Sequence, residues 1–358
     1  MRFLIILLLL TVFNLQFINV AFANTKIKKI GEIKLLPNSP GDPNEYDVIA
    51  DIAVDSKNGK LFALIQHFIL TDSPLGSVGL RFLIVDISSG TVNNSLDLEE
   101  FTESSLIPRA VGRLAVNSKA GKIYVSTGTD KVIVIDESNG NILKKIVTGD
   151  GTYGIVVNPA TSKVYVSNTL SKTILIIDSL TDELISTIDI HSGPGPIAVN
   201  SKRNKIYVIS HISAAIGGFG TGIAVVDGSQ NKVIDEISFP ANAELSELAV
   251  DSSKDIVYTT DFKNGIIYSI KGLKKSRFAN LGKDFSLQCD LILNPEMKKL
   301  YVSQPFITDE KLLIFNTKSK KIIQKLSFFS NDCELAEDSK RGLVFLSDGY
   351  SVFILGSP

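Results

Sequence analysis

Asp51, Glu247, Asp290 and Glu334 each stand immediately before a four-residue segment that begins apolar and ends in Asn or Asp, and Arg113 holds the same place before another. Carboxylates gathered from distant parts of a chain raise one another's pKa unless a cation compensates. Hard cations such as Ca²⁺ favour oxygen ligands of this kind. The four acids are therefore the candidate metal set, for Ca²⁺ or another divalent cation, and no other cofactor is expected. With Arg113 they are also the candidate ligand-binding set. His191 and His211 join that set, whereas a three-histidine metal centre is not favoured because His67 belongs to a different part of the repeat. Cys-x-x-Cys, His-Glu-x-x-His and Gly-x-Ser-x-Gly patterns are all missing, so the common metal-hydrolase and serine-hydrolase templates give no catalytic residue. The glycine-rich stretch 216–222 precedes no helix that could hold a phosphate, and reads as a loop.

What must position these residues is a repeat. Seven segments open at positions 52, 114, 155, 197, 248, 291 and 335, and each is followed by an aromatic residue: Phe62, Tyr124, Tyr165, Tyr207, Tyr258, Tyr301 and Phe345. Successive openings are 62, 41, 42, 51, 43 and 44 residues apart, a period in the low forties with two insertions. Within a unit the second and third segments, such as Ile123–Ser126 and Val132–Asp136, are apolar at both parities. A strand of that kind needs cover on both faces. The fourth segment, as in 142–146 or 184–188, is more polar and suits an outer strand. Four antiparallel strands per unit at this period predict an all-β fold, a seven-bladed β-propeller. WD and kelch versions are excluded by the lack of tryptophan.

The last unit stops after its third strand, 351–355, while 29–33 matches the fourth-strand pattern and has no unit of its own. The N-terminal strand is expected to complete the last blade and remove an open sheet edge. Ring closure makes units five, six, seven and one neighbours. Asp51, Glu247, Asp290 and Glu334 then form an arc at the channel mouth, bordered by Arg113. The insertions at 67–81 and 211–222 and the long segment 97–112 read as loops on that same face, where binding usually sits. Asp86, Asp136, Asp178, Asp227 and Asn316 recur at the end of third strands and read as turn caps, as do the Asn and Asp residues that close first strands.

The segments Tyr165-Val166-Ser167-Asn168, Tyr124-Val125-Ser126-Thr127, Tyr207-Val208-Ile209-Ser210 and Tyr301-Val302-Ser303-Gln304 resemble the YVTN-type β-propeller repeat family of surface-layer-like proteins. The likeness is clearest over 114–237. It implies an exported propeller and transfers no catalytic residue.

Residues 1–23 read as a signal peptide: a basic start, the apolar run 3–13, and Ala21-Phe22-Ala23 as cleavage site. Residues 24–358 then form one propeller domain that is periplasmic, cell-surface or secreted. A formal net charge of -1 removes the basic stripe that nucleic acid or anionic lipid would call for. Cys289 and Cys333 occupy equivalent places in adjacent units, too far apart to bridge without distortion, and are expected as free thiols. The function expected is a binding or surface-interaction module for a protein, glycan or small ligand on the looped face, without an integral membrane segment in the mature chain. A metal-dependent propeller enzyme of the lactonase or lyase kind is the alternative.

Overall fold

The computed structural model describes residues 26–36, 45–69, 77–102, 112–190, 192–210, 221–282, 290–304, 310–328 and 334–357. The expectations for the leader at 1–23 and for His191, His211, Cys289 and Cys333 lie outside these residues.

The described residues form 28 strands and no helix. After β1 (Lys28–Lys34) the first blade holds β2 (Glu45–Asp55), β3 (Lys60–Ile69), β4 (Ser77–Asp86) and β5 (Val92–Thr102). The second holds β6 (Arg113–Asn117), β7 (Lys122–Ser126), β8 (Lys131–Asp136) and β9 (Ile142–Val147), and the third β10 (Thr152–Asn158), β11 (Lys163–Asn168), β12 (Thr173–Asp178) and β13 (Leu184–Asp189). The fourth holds β14 (Ile197–Asn200), β15 (Lys205–Ser210), β16 (Gly222–Asp227) and β17 (Lys232–Ser238), and the fifth β18 (Leu245–Asp251), β19 (Ile256–Asp261), β20 (Ile266–Lys271) and β21 (Lys274–Asn280). The sixth holds β22 (Leu291–Asn294), β23 (Lys299–Gln304), β24 (Glu310–Asn316) and β25 (Ile322–Phe328), and the seventh β26 (Leu335–Asp338), β27 (Leu343–Ser347) and β28 (Ser351–Gly356). Each blade is a four-stranded antiparallel sheet, and the seventh has the order β1-β28-β27-β26. The protein is a seven-bladed β-propeller shut by its N-terminal strand, as the repeat predicts.

The burial pattern explains the ring. The middle strands β8 and β12 are buried at four consecutive positions, which only a neighbour on each side can provide. Seven apolar clusters fill the seven blade-to-blade interfaces. The cluster that shuts the circle joins Ile33, Phe345 and Val352 of the last blade to Leu61, Ala63 and Ile65 of the first. The strand-two aromatics Tyr124, Tyr165, Tyr301, Phe62 and Phe345 are fully buried in these interfaces.

Every outermost strand slips register against its partner, for example at Val134/Ile135, Ile176/Ile177 and, in β1, Lys29/Gly31. A bulge of this sort bends the strand and blunts an edge that would otherwise pair with another chain. It also turns residues such as Leu143 and Ile185 outward to solvent.

The turn residues behave as the sequence predicts. Asp136 accepts the amides of Ser138 and Asn139, and Asp227 those of Ser229 and Gln230. Asn316 does the same for Lys318 and Ser319.

The first blade corrects one expectation. Of the insertion read as a loop at 67–81, all the described residues are strand, because β3 runs to Ile69 and β4 begins at Ser77. Residues 97–102 likewise belong to β5. All four strands of this blade thus reach beyond the disc on the mouth side, paired from Glu45↔Ile69 and Ser77↔Thr102 inward. Alternation of side chains across the paired strands, with Tyr46 stacked on Phe68 at 4.7 Å, gives the extension a packing face that a free loop lacks.

Candidate functional site: the channel mouth

Four of the seven mouth residues are held by a recurring polar device. In the Tyr-Val-Ser segments the serine hydroxyl accepts the backbone N–H of the mouth residue of its own blade: Ser126 for Arg113 at 2.9 Å, Ser167 for Gly154 at 2.8 Å, and Ser303 for Asp290 at 3.0 Å. Ser347 does so for Glu334. Ser126 and Ser167 also donate to carbonyls of the next blade, those of Tyr153 and Gly195 at 2.7 Å. Arg113 and Gly154 are thereby anchored to two blades.

Two of the acids are themselves bridges. Asp51 accepts the amide of Ile52 through one oxygen and, through the other, that of Leu114 in the next blade at 2.6 Å. Asp290 repeats the arrangement with Leu291 and, across the blade boundary, Leu335, both at 2.6 Å. A carboxylate tied to two amides loses the freedom to swing toward a ligand.

Arg113 is the centre of the arrangement rather than its border. Its guanidinium reaches across the channel to Glu334 at 2.8 Å and Glu247 at 3.3 Å, and stands 3.8 Å from Asp51. Its cationic carbon lies 6.0 Å from the ring centre of Tyr153. Asp51, Arg113, Glu247, Asp290 and Glu334 are thus brought together, as the repeat arithmetic places them. With Tyr153, Gly154 and Pro196 they line a recess of about 140 Å³. Gly154 and Pro196 are the two mouth positions without an ionisable group, and they leave the space that the acids elsewhere fill.

Burial dominates the electrostatics. Desolvation pushes Glu247 up to about 8 against the pull of Arg113, with Asp290 and Asp51 adding to the rise. It pushes Asp51 up to about 6, opposed by Arg113 and by the Leu114 amide. Glu334 is raised well above the ordinary carboxylate range and Asp290 is raised, both chiefly by burial. The Arg113 guanidinium is held more firmly protonated by Glu334 and Glu247, despite burial. One cation among four acids leaves an excess of potential negative charge.

Among the described residues no three His, Cys, Asp or Glu side chains are grouped to hold a metal ion. The four acids surround a guanidinium instead, two of them pinned by backbone amides. His67 lies in β3, not in a loop, and its Nδ1 sits 2.5 Å from Asp47. Asp47 is four residues before Asp51 along β2, which sets the histidine's strand position roughly 14 Å from Asp51 at about 3.4 Å per residue. It is out of reach for direct proton transfer there.

Tyr153 was not singled out from the sequence. The corresponding place two residues before the opening is Ala50, Gly112, Gly195, Ser246, Cys289 or Cys333 in the other units. A lone aromatic in a column of small residues is the signal that marks it.

No family model and no curated protein matches this chain. No helix among the described residues is long and apolar enough to cross a membrane.

Proposed function

We propose that this chain is an exported binding module of the YVTN-type propeller kind, and that its acidic mouth accepts a cationic group of a ligand. The observation that carries the reading is the gathering of four acids around a single guanidinium in a small recess, where a cationic group takes the place of the protons that burial holds on Glu247 and Glu334. Arg113 already demonstrates that a guanidinium is complementary to Glu247 and Glu334, so an ammonium or guanidinium brought by a ligand meets the same partners. Ca²⁺ at Asp51, Glu247, Asp290 and Glu334 is the competing occupant. Among the described residues the one histidine, His67, is paired with Asp47 and remote from the mouth acids, which supports binding over acid–base catalysis by that residue.

Thermal melts with and without cadaverine or Ca²⁺ test the proposal. Cadaverine is expected to raise the melting temperature of the wild type and not that of Glu247→Gln/Asp290→Asn. Stabilisation by Ca²⁺ alone transfers the site to a metal, and indifference to both probes removes it.

A further inference from the structure

The other end of the channel has the opposite character. It is ringed by the turns joining first and second strands, and six of these seven turns carry a lysine or arginine. The exception is the turn at 159–162 in the third blade, which begins with Pro159. Several of the cations are tied down: Lys254 pairs with Asp251 and Arg341 with Asp338, each at 2.6 Å. Lys57 and Lys119 are not. Both are exposed, and their ammonium groups make no ion pair among the described residues.

These two lysines stand on one recess. It measures about 550 Å³ and is lined by Lys57 of the first blade, Val116, Asn117, Ser118 and Lys119 of the second, and Val157 and Pro159 of the third. That size lies within the range of small-molecule sites, which pair an apolar wall with a few convergent polar groups. Val116, Val157 and Pro159 supply the wall; the lysines converge from two adjacent turns. The turns themselves are rigid. Asp55 accepts the Lys57 amide at 2.8 Å, Asn117 accepts that of Ala120, and Asn158 that of Ala160. The aliphatic stems of the lysines can lie along the apolar wall while their charges remain free.

We infer that this recess is a second binding site, independent of the acidic mouth, for a small organic anion whose apolar body packs on Val116, Val157 and Pro159 and whose acidic group meets Lys57 and Lys119. The basic ring attracts such a ligand, and the missing cation in the third blade leaves the apolar side on which its body rests. A bare inorganic anion lacks the body and binds more weakly.

Fluorescence titration of the folded protein with anilinonaphthalene sulfonate, an anion with an aromatic body, tests this. Saturable one-site binding is expected, weakened at least about tenfold in Lys57→Gln/Lys119→Gln, a loss of about 1.4 kcal/mol. Lys202→Gln/Lys340→Gln, which removes two cations from turns outside the recess, is expected to bind as the wild type does. Both pairs are exposed turn residues, and unchanged melting temperatures check that each variant folds. Wild-type affinity in the first variant, equal weakening in the second, or no saturable binding at all overturns the inference.

Discussion

Arg113 is the residue whose removal separates the electrostatic account of the mouth from a purely steric one. Its guanidinium is the partner of Glu334 and Glu247 at 2.8 and 3.3 Å, and stripping one member from a buried ion pair costs about 3–5 kcal/mol. The cost has a pH signature. Burial already raises both acids, and without Arg113 they escape the penalty by taking up protons. Arg113→Gln is therefore expected to lower the melting temperature strongly near pH 8 and much less near pH 5. Adding Glu334→Gln is expected to restore part of the loss at the higher pH. A pH-independent deficit in thermal melts places the role of Arg113 in packing. Which side chains meet at the mouth was legible, since one repeating position delivers them; how they meet was not. The period says nothing of side-chain length, and it is the reach of arginine that converts an acidic rim into a cluster centred on a cation.

At the scale of the strand and its neighbours, the latches between blades show what the closing arrangement lacks. Lys122 donates to Asp182 at 2.6 Å and Tyr124 to the same carboxylate at 2.7 Å, both on the turn joining β12 and β13 in the next blade. Lys163 reaches the Gly228 carbonyl at 2.8 Å and Lys60 that of Glu137 at 2.7 Å. In the sixth blade Lys299 and Tyr301 hold the corresponding places. The next blade takes its outer strand from β1, so no hairpin turn connects β28 to it, and among the described residues the Lys299 ammonium and Tyr301 hydroxyl are buried without a partner. A buried donor left unmade costs about 1–3 kcal/mol. Lys299→Met is accordingly expected to hold or raise the denaturant midpoint, whereas Lys122→Met lowers it; loss of stability in the first variant sinks this account. The closing strand itself is anchored by Ile33, which is 2 % exposed and packs on both terminal blades. Ile33→Ala is expected to cost about 2–5 kcal/mol, read as a lower urea midpoint. Closure was legible because strand count and burial parity are properties of sequence. The length of β3 and β4 was not: residues 67–69 lack the turn chemistry that ends a strand, but only the pairing partners at 45–47 show that the ladder continues through them.

For the whole molecule, two populations of carboxylates oppose one another as pH changes. The turn caps are partly exposed and hydrogen-bonded in their charged form. Asp86 is lowered to about 2, first by the Ser88 hydroxyl, and Asp136 and Asp227 are also lowered, by Ser138 and by the Ser229 amide. Folding binds their protons less tightly than the unfolded chain does, so their contribution is present above the ordinary carboxylate pKa of about 4 and is lost as pH falls below it. The buried acids act in the other sense. Desolvation raises Asp51 to about 6, Glu137 to about 7 and both Glu247 and Glu337 to about 8. Their contribution is full below the unfolded value of about 4 and disappears as pH rises through the folded values. Asp51 and Glu247 share the mouth network, but Glu137, at the first and second blades beside Asp55 and Asn58, and Glu337, in the seventh, lie apart from it, so the effects of the three places accumulate. The propeller is therefore expected to be most stable between about pH 4 and 6 and to lose stability steadily toward pH 9. Glu137→Gln and Glu247→Gln, which abolish ionisation while keeping shape, are expected to flatten the alkaline limb without moving the acid one. Melting temperatures measured from pH 3 to 9 decide the matter, and a maximum near pH 8 refutes the assignment of buried, proton-holding carboxyls.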